Sequence, residues 1–124
     1  MAICTYNVGE IKADCLKNTD PITKMFEEMK TNDMVIINLQ EVDMNIKYFN
    51  SSAHDGKFNL WTDYLDKIFD LSLFHRTSLP CGTLMMIVYY NYKTSNYIKY
   101  REFKTVFLGG GGFGNKAAIG LHVI

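Results

Sequence analysis

The chain has 124 residues, 48% hydrophobic and 21% charged, which is enough for one domain with its own core. That balance excludes disorder, its two prolines exclude a collagen-like chain, and its longest apolar run, Leu84 to Tyr90, falls far short of the roughly 20 residues that span a bilayer. Formal charge is zero but uneven: from Arg76 to Lys116 six cations face Glu102 alone, a net +5 against −5 elsewhere, as would suit either a phosphorylated ligand or a solvated surface.

Residues 2–8 read as a short β-branched and aromatic strand. A helix follows at 20–31, with Asp20 at the N-cap, Pro21 at the first helical position, and Ile22, Met25, Phe26 and Met29 at i, i+3, i+4 and i+7. Residues 33–40 are nearly all apolar, which predicts a strand covered on both faces. A second helix is expected at 57–69, with Phe58, Trp61, Leu65 and Ile68 on one face. Strands are then expected at 71–76, 83–90, 97–107 and 116–124, with Pro80 and Gly82 marking a turn before the second of these. Two β-α units followed by strands suggest an α+β domain, with a mixed sheet and helices on one face.

Met1 leads directly into the first strand, so no signal peptide is expected. Cys4, Cys15 and Cys81 have neither disulfide nor zinc spacing, which fits a reduced, cytoplasmic setting. The sequon Asn50-Ser51-Ser52 carries no weight there.

Three stretches carry chemistry. Thr5-Tyr6-Asn7-Val8-Gly9 places an Asn at the end of the first strand, and Ile37-Asn38-Leu39-Gln40-Glu41 delivers Gln-Glu at the end of a buried one. Ligands of layered α/β proteins gather beyond the carboxyl ends of strands, so Asn7 and Glu41 could share a site. A carboxylate with amides and no thiol is a hard oxygen-donor set, which favours Mg²⁺. The third stretch is the glycine-rich Gly109 to Lys116. Its Gly109–Gly114 spacing imitates a P-loop, but Asn115 and Lys116 stand where Lys and Ser or Thr belong, and no helix follows. A nest of backbone N–H groups with Lys116 could still hold a phosphate; a plain hairpin tip is the alternative.

In this order the stretches resemble the endonuclease/exonuclease/phosphatase superfamily, and more narrowly the inositol polyphosphate 5-phosphatases. Thr5-Tyr6-Asn7-Val8 is similar to their T-W-N-[VM] strand, and Gln40-Glu41 to the Q-E that ends a buried strand. Leu79-Pro80-Cys81-Gly82-Thr83-Leu84 is similar to their L-x-G-x-x-L, and Gly111 to Ala117 to G-x-x-G-N-K-[GA]; Ala118 departs mildly from the pattern. The resemblance covers the whole chain but only the first half of that family's domain. It implies residues 1–124 as the N-terminal half of a four-layered α/β/β/α sandwich.

By that resemblance the activity would be Mg²⁺-dependent hydrolysis of a phosphate monoester on inositol polyphosphates or phosphoinositides. Glu41 would hold the metal and Asn7 would lie beside metal and scissile phosphate. Gly114, Asn115 and Lys116 would bind ring phosphates. The family's later histidine, G-D-x-N and S-D-H motifs do not follow, and His122 comes too early to serve. These 124 residues alone are therefore expected to be nearly inactive. A superfamily nuclease, or a non-catalytic phosphoinositide-binding remnant, are the alternatives. A cytoplasmic protein touching membranes peripherally is the expected setting. Without the second half, one apolar sheet face and the edge of the last strand are expected to lie open.

Tyrosines among Lys93, Lys99 and Arg101 invite a nucleic-acid stacking reading, but tyrosine is common in strands and the chain is neutral. His54 and His75 read as loop and strand-end residues, and the seven methionines as core filler.

Overall fold

The computed structural model describes residues 1–44, 56–99, 101–108 and 116–124, with backbone alone at Phe107, Leu108 and Lys116. Strand β1 (Ala2–Asn7) leads through a 3-10 turn (Ala13–Cys15) to α1 (Pro21–Met29) and β2 (Met34–Gln40). Helix α2 (Lys57–Ile68), β3 (Phe74–Cys81), β4 (Leu84–Asn91) and the short α3 (Tyr92–Ser95) follow, then β5 (Arg101–Leu108) and β6 (Lys116–Val123). The first four strands form one sheet in the order β1-β2-β4-β3, and β5 and β6 form a separate antiparallel pair. Among the described residues only β1 and β2 run parallel; α1 makes their crossover, as parallel neighbours require. The protein is thus α+β with a mixed, mostly antiparallel sheet.

Alternation sorts the sheet's side chains onto two faces. Val35, Ile37 and Leu39 of β2 and Met85, Ile87 and Tyr89 of β4 join Phe26 of α1 and Phe58, Trp61 and Leu65 of α2 in the main core. Phe26 and Phe58 are essentially inaccessible, and each such burial stabilises by about 1.5–3 kcal/mol. Polar tips in this layer are satisfied: Trp61 Nε1 donates to the Ile11 carbonyl at 3.2 Å, and Tyr64 and Thr23 share a hydroxyl hydrogen bond of 2.5 Å. The Tyr89 hydroxyl donates to Asp66 at 2.7 Å, and Arg76 binds the other oxygen of that carboxylate at 2.5 Å.

The opposite face carries Met86, Val88 and Tyr90, packed against Phe103, Ile119 and Leu121 of the β5–β6 pair. The face expected to lie open is therefore covered over β4. It stays open toward β1, where Ile3 is 60% exposed. β2 is accordingly buried on its helix face and half-buried on the other, not covered fully on both.

Four local expectations change. Asp20 holds the N-cap position of α1, but its carboxylate accepts from the Lys17 N–H at 2.6 Å and caps nothing. The strand expected at 71–76 starts at Phe74 and runs on to Cys81, so Pro80 lies in a strand and not in the turn. β3 is an edge strand, where a missing N–H costs no ladder bond. Gly82 makes the turn, with φ of 60°. The strand expected from 97 is Arg101–Leu108, because the Tyr97 and Ile98 N–H groups turn back onto the Thr94 and Ser95 carbonyls of α3.

Candidate functional site

Asn7 ends β1 and Glu41 directly follows β2. The parallel register pairs Thr5 with Asn38 and Asn7 with Gln40, so two consecutive polar rungs share the face opposite the helices. The Val8 N–H donates to the Gln40 carbonyl at 2.9 Å and the Glu10 N–H to the Glu41 carbonyl at 2.8 Å, which joins the two strand-end loops. Lys57 closes the same corner through an ion pair of 2.8 Å with Glu10. That ammonium holds the Glu10 carboxyl below its ordinary range.

Glu41 is exposed and non-glycine, yet has φ of 55°. Left-handed backbone at such a residue costs roughly 1–2 kcal/mol. The strain is over-determined by its neighbours, since buried Val8 and Val42 anchor both sides and the Val42 N–H donates to the Thr83 carbonyl at 3.0 Å. Asn7 Oδ1 accepts the Gly9 N–H at 3.0 Å, an Asx turn that fixes the side chain. That bond uses one lone pair and leaves the amide able to meet a ligand.

Beside these rungs a cleft of about 300 Å³ is lined by Thr5, Asn38, Gln40, Met86, Ala118 and Ile119. Because Ala118 and Ile119 form its far wall, the start of β6 at Lys116 lies toward the same end of the sheet as Asn7 and Glu41. Gly114 and Asn115 lie outside the described residues, as does His54. Gln40 is expected here from the Gln-Glu strand end, whereas Thr5 and Asn38 have no role of their own in the sequence reading. The available signal was period 2: Asn38 and Gln40 interrupt an apolar strand on one face.

Among the described residues no three His, Cys, Asp or Glu side chains converge as a metal site. A cation at Glu41 would rest on one carboxylate with amide, water and ligand oxygens. Mg²⁺ tolerates that arrangement and zinc does not. The donor set therefore fits the expected ion in kind.

The other candidates serve packing. His75 stacks on Tyr90 at 5.3 Å and meets Tyr92 edge-on at 4.1 Å. Tyr89 and Tyr90 point into the two cores. Cys4, Cys15 and Cys81 are free thiols, and burial pushes Cys4 and Cys81 upward, away from the reactive thiolate. No helix among the described residues is long and apolar enough to cross a membrane.

Compared with protein-family models and with curated proteins, the sequence matches none.

Proposed function

We propose that the chain supplies the first part of a phosphoric monoester hydrolase domain of the inositol polyphosphate 5-phosphatase type. The ligand would be an inositol polyphosphate or a phosphoinositide headgroup, met in the cytoplasm or at a membrane surface. The observation that carries this reading is the parallel register of Asn7 with Gln40, one residue before Glu41. It brings the two motif ends, separated by more than thirty residues of sequence, to one strand-end corner. Further support comes from the layering: helices, sheet and the β5–β6 pair stack in the order that three layers of an α/β/β/α sandwich would have.

In this reading Glu41 holds Mg²⁺, with Asn7 beside it. The ion, when bound, acts as a Lewis acid and lowers the pKa of its water. Asn7 orients the phosphoryl oxygens through its amide, held in place by the Asx turn. Lys116, with Gly114 and Asn115, adds charge and N–H donors for the ring phosphates. The acid–base groups of the reaction are not among these residues, so binding without turnover is the expected behaviour of residues 1–124.

Calorimetric titration with inositol trisphosphate, with and without Mg²⁺, tests the reading. Binding should strengthen with Mg²⁺ and weaken at least tenfold in Glu41→Ala and in Lys116→Ala. Phosphate release should not exceed that of the Glu41→Ala control. Binding indifferent to Mg²⁺ and to both substitutions would overturn the assignment, as would tighter binding of oligonucleotides.

A further inference from the structure

A second constellation lies at the other end of the sheet. Tyr90 pairs with Met34, at the opposite end of the seven-residue β2 from Gln40, which is about 20 Å away at ordinary strand rise. Tyr90 is 5% exposed and packs on His75, and the guanidinium carbon of Arg101 lies 5.3 Å from its ring centroid. Tyr90 and Arg101, with Ser95, Ile98 and Lys99, line a pocket of about 220 Å³.

The walls of this pocket are held by short-range hydrogen bonds. Asn91 Oδ1 accepts the Thr94 N–H at 2.8 Å and Ser95 Oγ donates to the Tyr92 carbonyl at 2.9 Å, which fixes α3. The Lys99 N–H donates to the Ile124 carbonyl at 2.7 Å, which ties the approach to β5 onto the end of β6. Two cations thus sit on a fixed frame. Among the described residues neither Lys99 nor Arg101 has a carboxylate at ion-pair distance. Glu102 alternates to the other side of β5, where it meets Lys104 at 3.8 Å.

We propose that this pocket binds one phosphate monoester group, with Arg101 as a two-pronged donor and Lys99 as a point charge. Size decides how much of a ligand enters. Pockets for drug-sized molecules run from about 300 to 1,000 Å³, so this one takes a terminal group and not a whole cofactor. Donor geometry decides which group: the planar fork of Arg101 and the Lys99 ammonium together suit the three oxygens of a phosphate dianion better than the two of a carboxylate. The nearly buried Tyr90 ring is a wall and offers no open face to a nucleobase. The site shares no residue with the corner at Asn7 and Glu41, so it stands or falls separately from the function proposed above.

Amide chemical shifts of the chain, titrated with inorganic phosphate, phenyl phosphate or acetate at constant ionic strength in chloride, test the proposal. Both phosphates should move the Ser95, Ile98, Lys99 and Arg101 signals along one saturable curve, with acetate at least tenfold weaker. Lys99→Gln and Arg101→Gln, both at exposed positions, should each weaken phosphate about tenfold or more. Lys104→Gln should leave it unchanged. Absence of these shifts in the unmodified chain, equal response to acetate, or an unchanged affinity in Lys99→Gln would overturn the site.

Discussion

Asp66 supports a graded test of how this core satisfies its polar atoms. Its carboxylate accepts the Tyr89 hydroxyl at 2.7 Å and pairs with Arg76 at 2.5 Å, while Tyr89 itself is wholly inaccessible. Tyr89→Phe removes the donor. Asp66 keeps Arg76, and its side chain is 21% exposed, so water can replace the lost bond. The expected cost is about 1.5 kcal/mol, the low end for a hydrogen bond to a charged group. Asp66→Ala removes the acceptor instead and strands a buried hydroxyl, which costs about 1–3 kcal/mol, and the partly exposed Arg76 pair adds up to about 1. Asp66→Ala should therefore be the more damaging by roughly 1–2 kcal/mol. In the double variant the hydroxyl and its partner are both gone, so the costs should fall short of the sum. Urea unfolding followed by fluorescence of the single, fully buried Trp61 measures all three. Equal costs for the two single variants, or strict additivity, would refute the reasoning.

Tyr89 also gives a pH signature, because burial, and next its bond to Asp66, push the phenol well above its ordinary value of 10. The unfolded chain ionises this tyrosine above about pH 10 and the folded chain does not. Stability from the neutral phenol is complete below that pH and is lost as pH rises further, by about 1.4 kcal/mol per unit; Tyr89→Phe should flatten that limb. At the acid end, Lys57 lowers the Glu10 carboxyl, so the stability contributed by this pair is present above about pH 4.5 and lost as pH falls through the lowered value. Lys57→Gln should abolish that part of the acid transition, and an unchanged profile would contradict it. Glu41→Gly should raise the unfolding free energy from urea titration by up to about 1 kcal/mol, since glycine relieves φ of 55° at some entropic cost, while removing the Mg²⁺ response of the proposed site. Gly82→Ala, at φ of 60°, should destabilise by about 1 kcal/mol; a neutral result would mean the β3–β4 turn relaxes freely.

The two longer helices and the strands were legible because their patterns are local. Ile22, Met25, Phe26 and Met29 recur at helical spacing, and the helix they predict forms over Pro21–Met29. Helix α3 shows no period because Tyr92–Ser95 is too short for one; its start signal is the Asn91 N-cap, whose side chain accepts the Thr94 N–H. Pro80 misled for a related reason. Proline is excluded from a ladder only where its N–H is needed, and nothing local says that β3 will be an edge. The same limit applied to the candidate site. Asn7, Gln40 and Glu41 could be recognised as strand-end residues, but Asn38 and Thr5 gain meaning only from the register that sets them opposite one another.

The sequence by itself determined where the chain bends and which residues seek the interior, since dihedral preference and apolar spacing act over a few residues. It also determined that one carboxylate and two amides stand at strand ends. Only the tertiary structure decided that β1 and β2 run side by side and parallel, that β5–β6 covers β4 but leaves the Thr5–Asn38 rung open, and that Lys99 and Arg101 meet around Tyr90. These are pairings between residues distant in the chain, and they follow from how whole faces bury against one another.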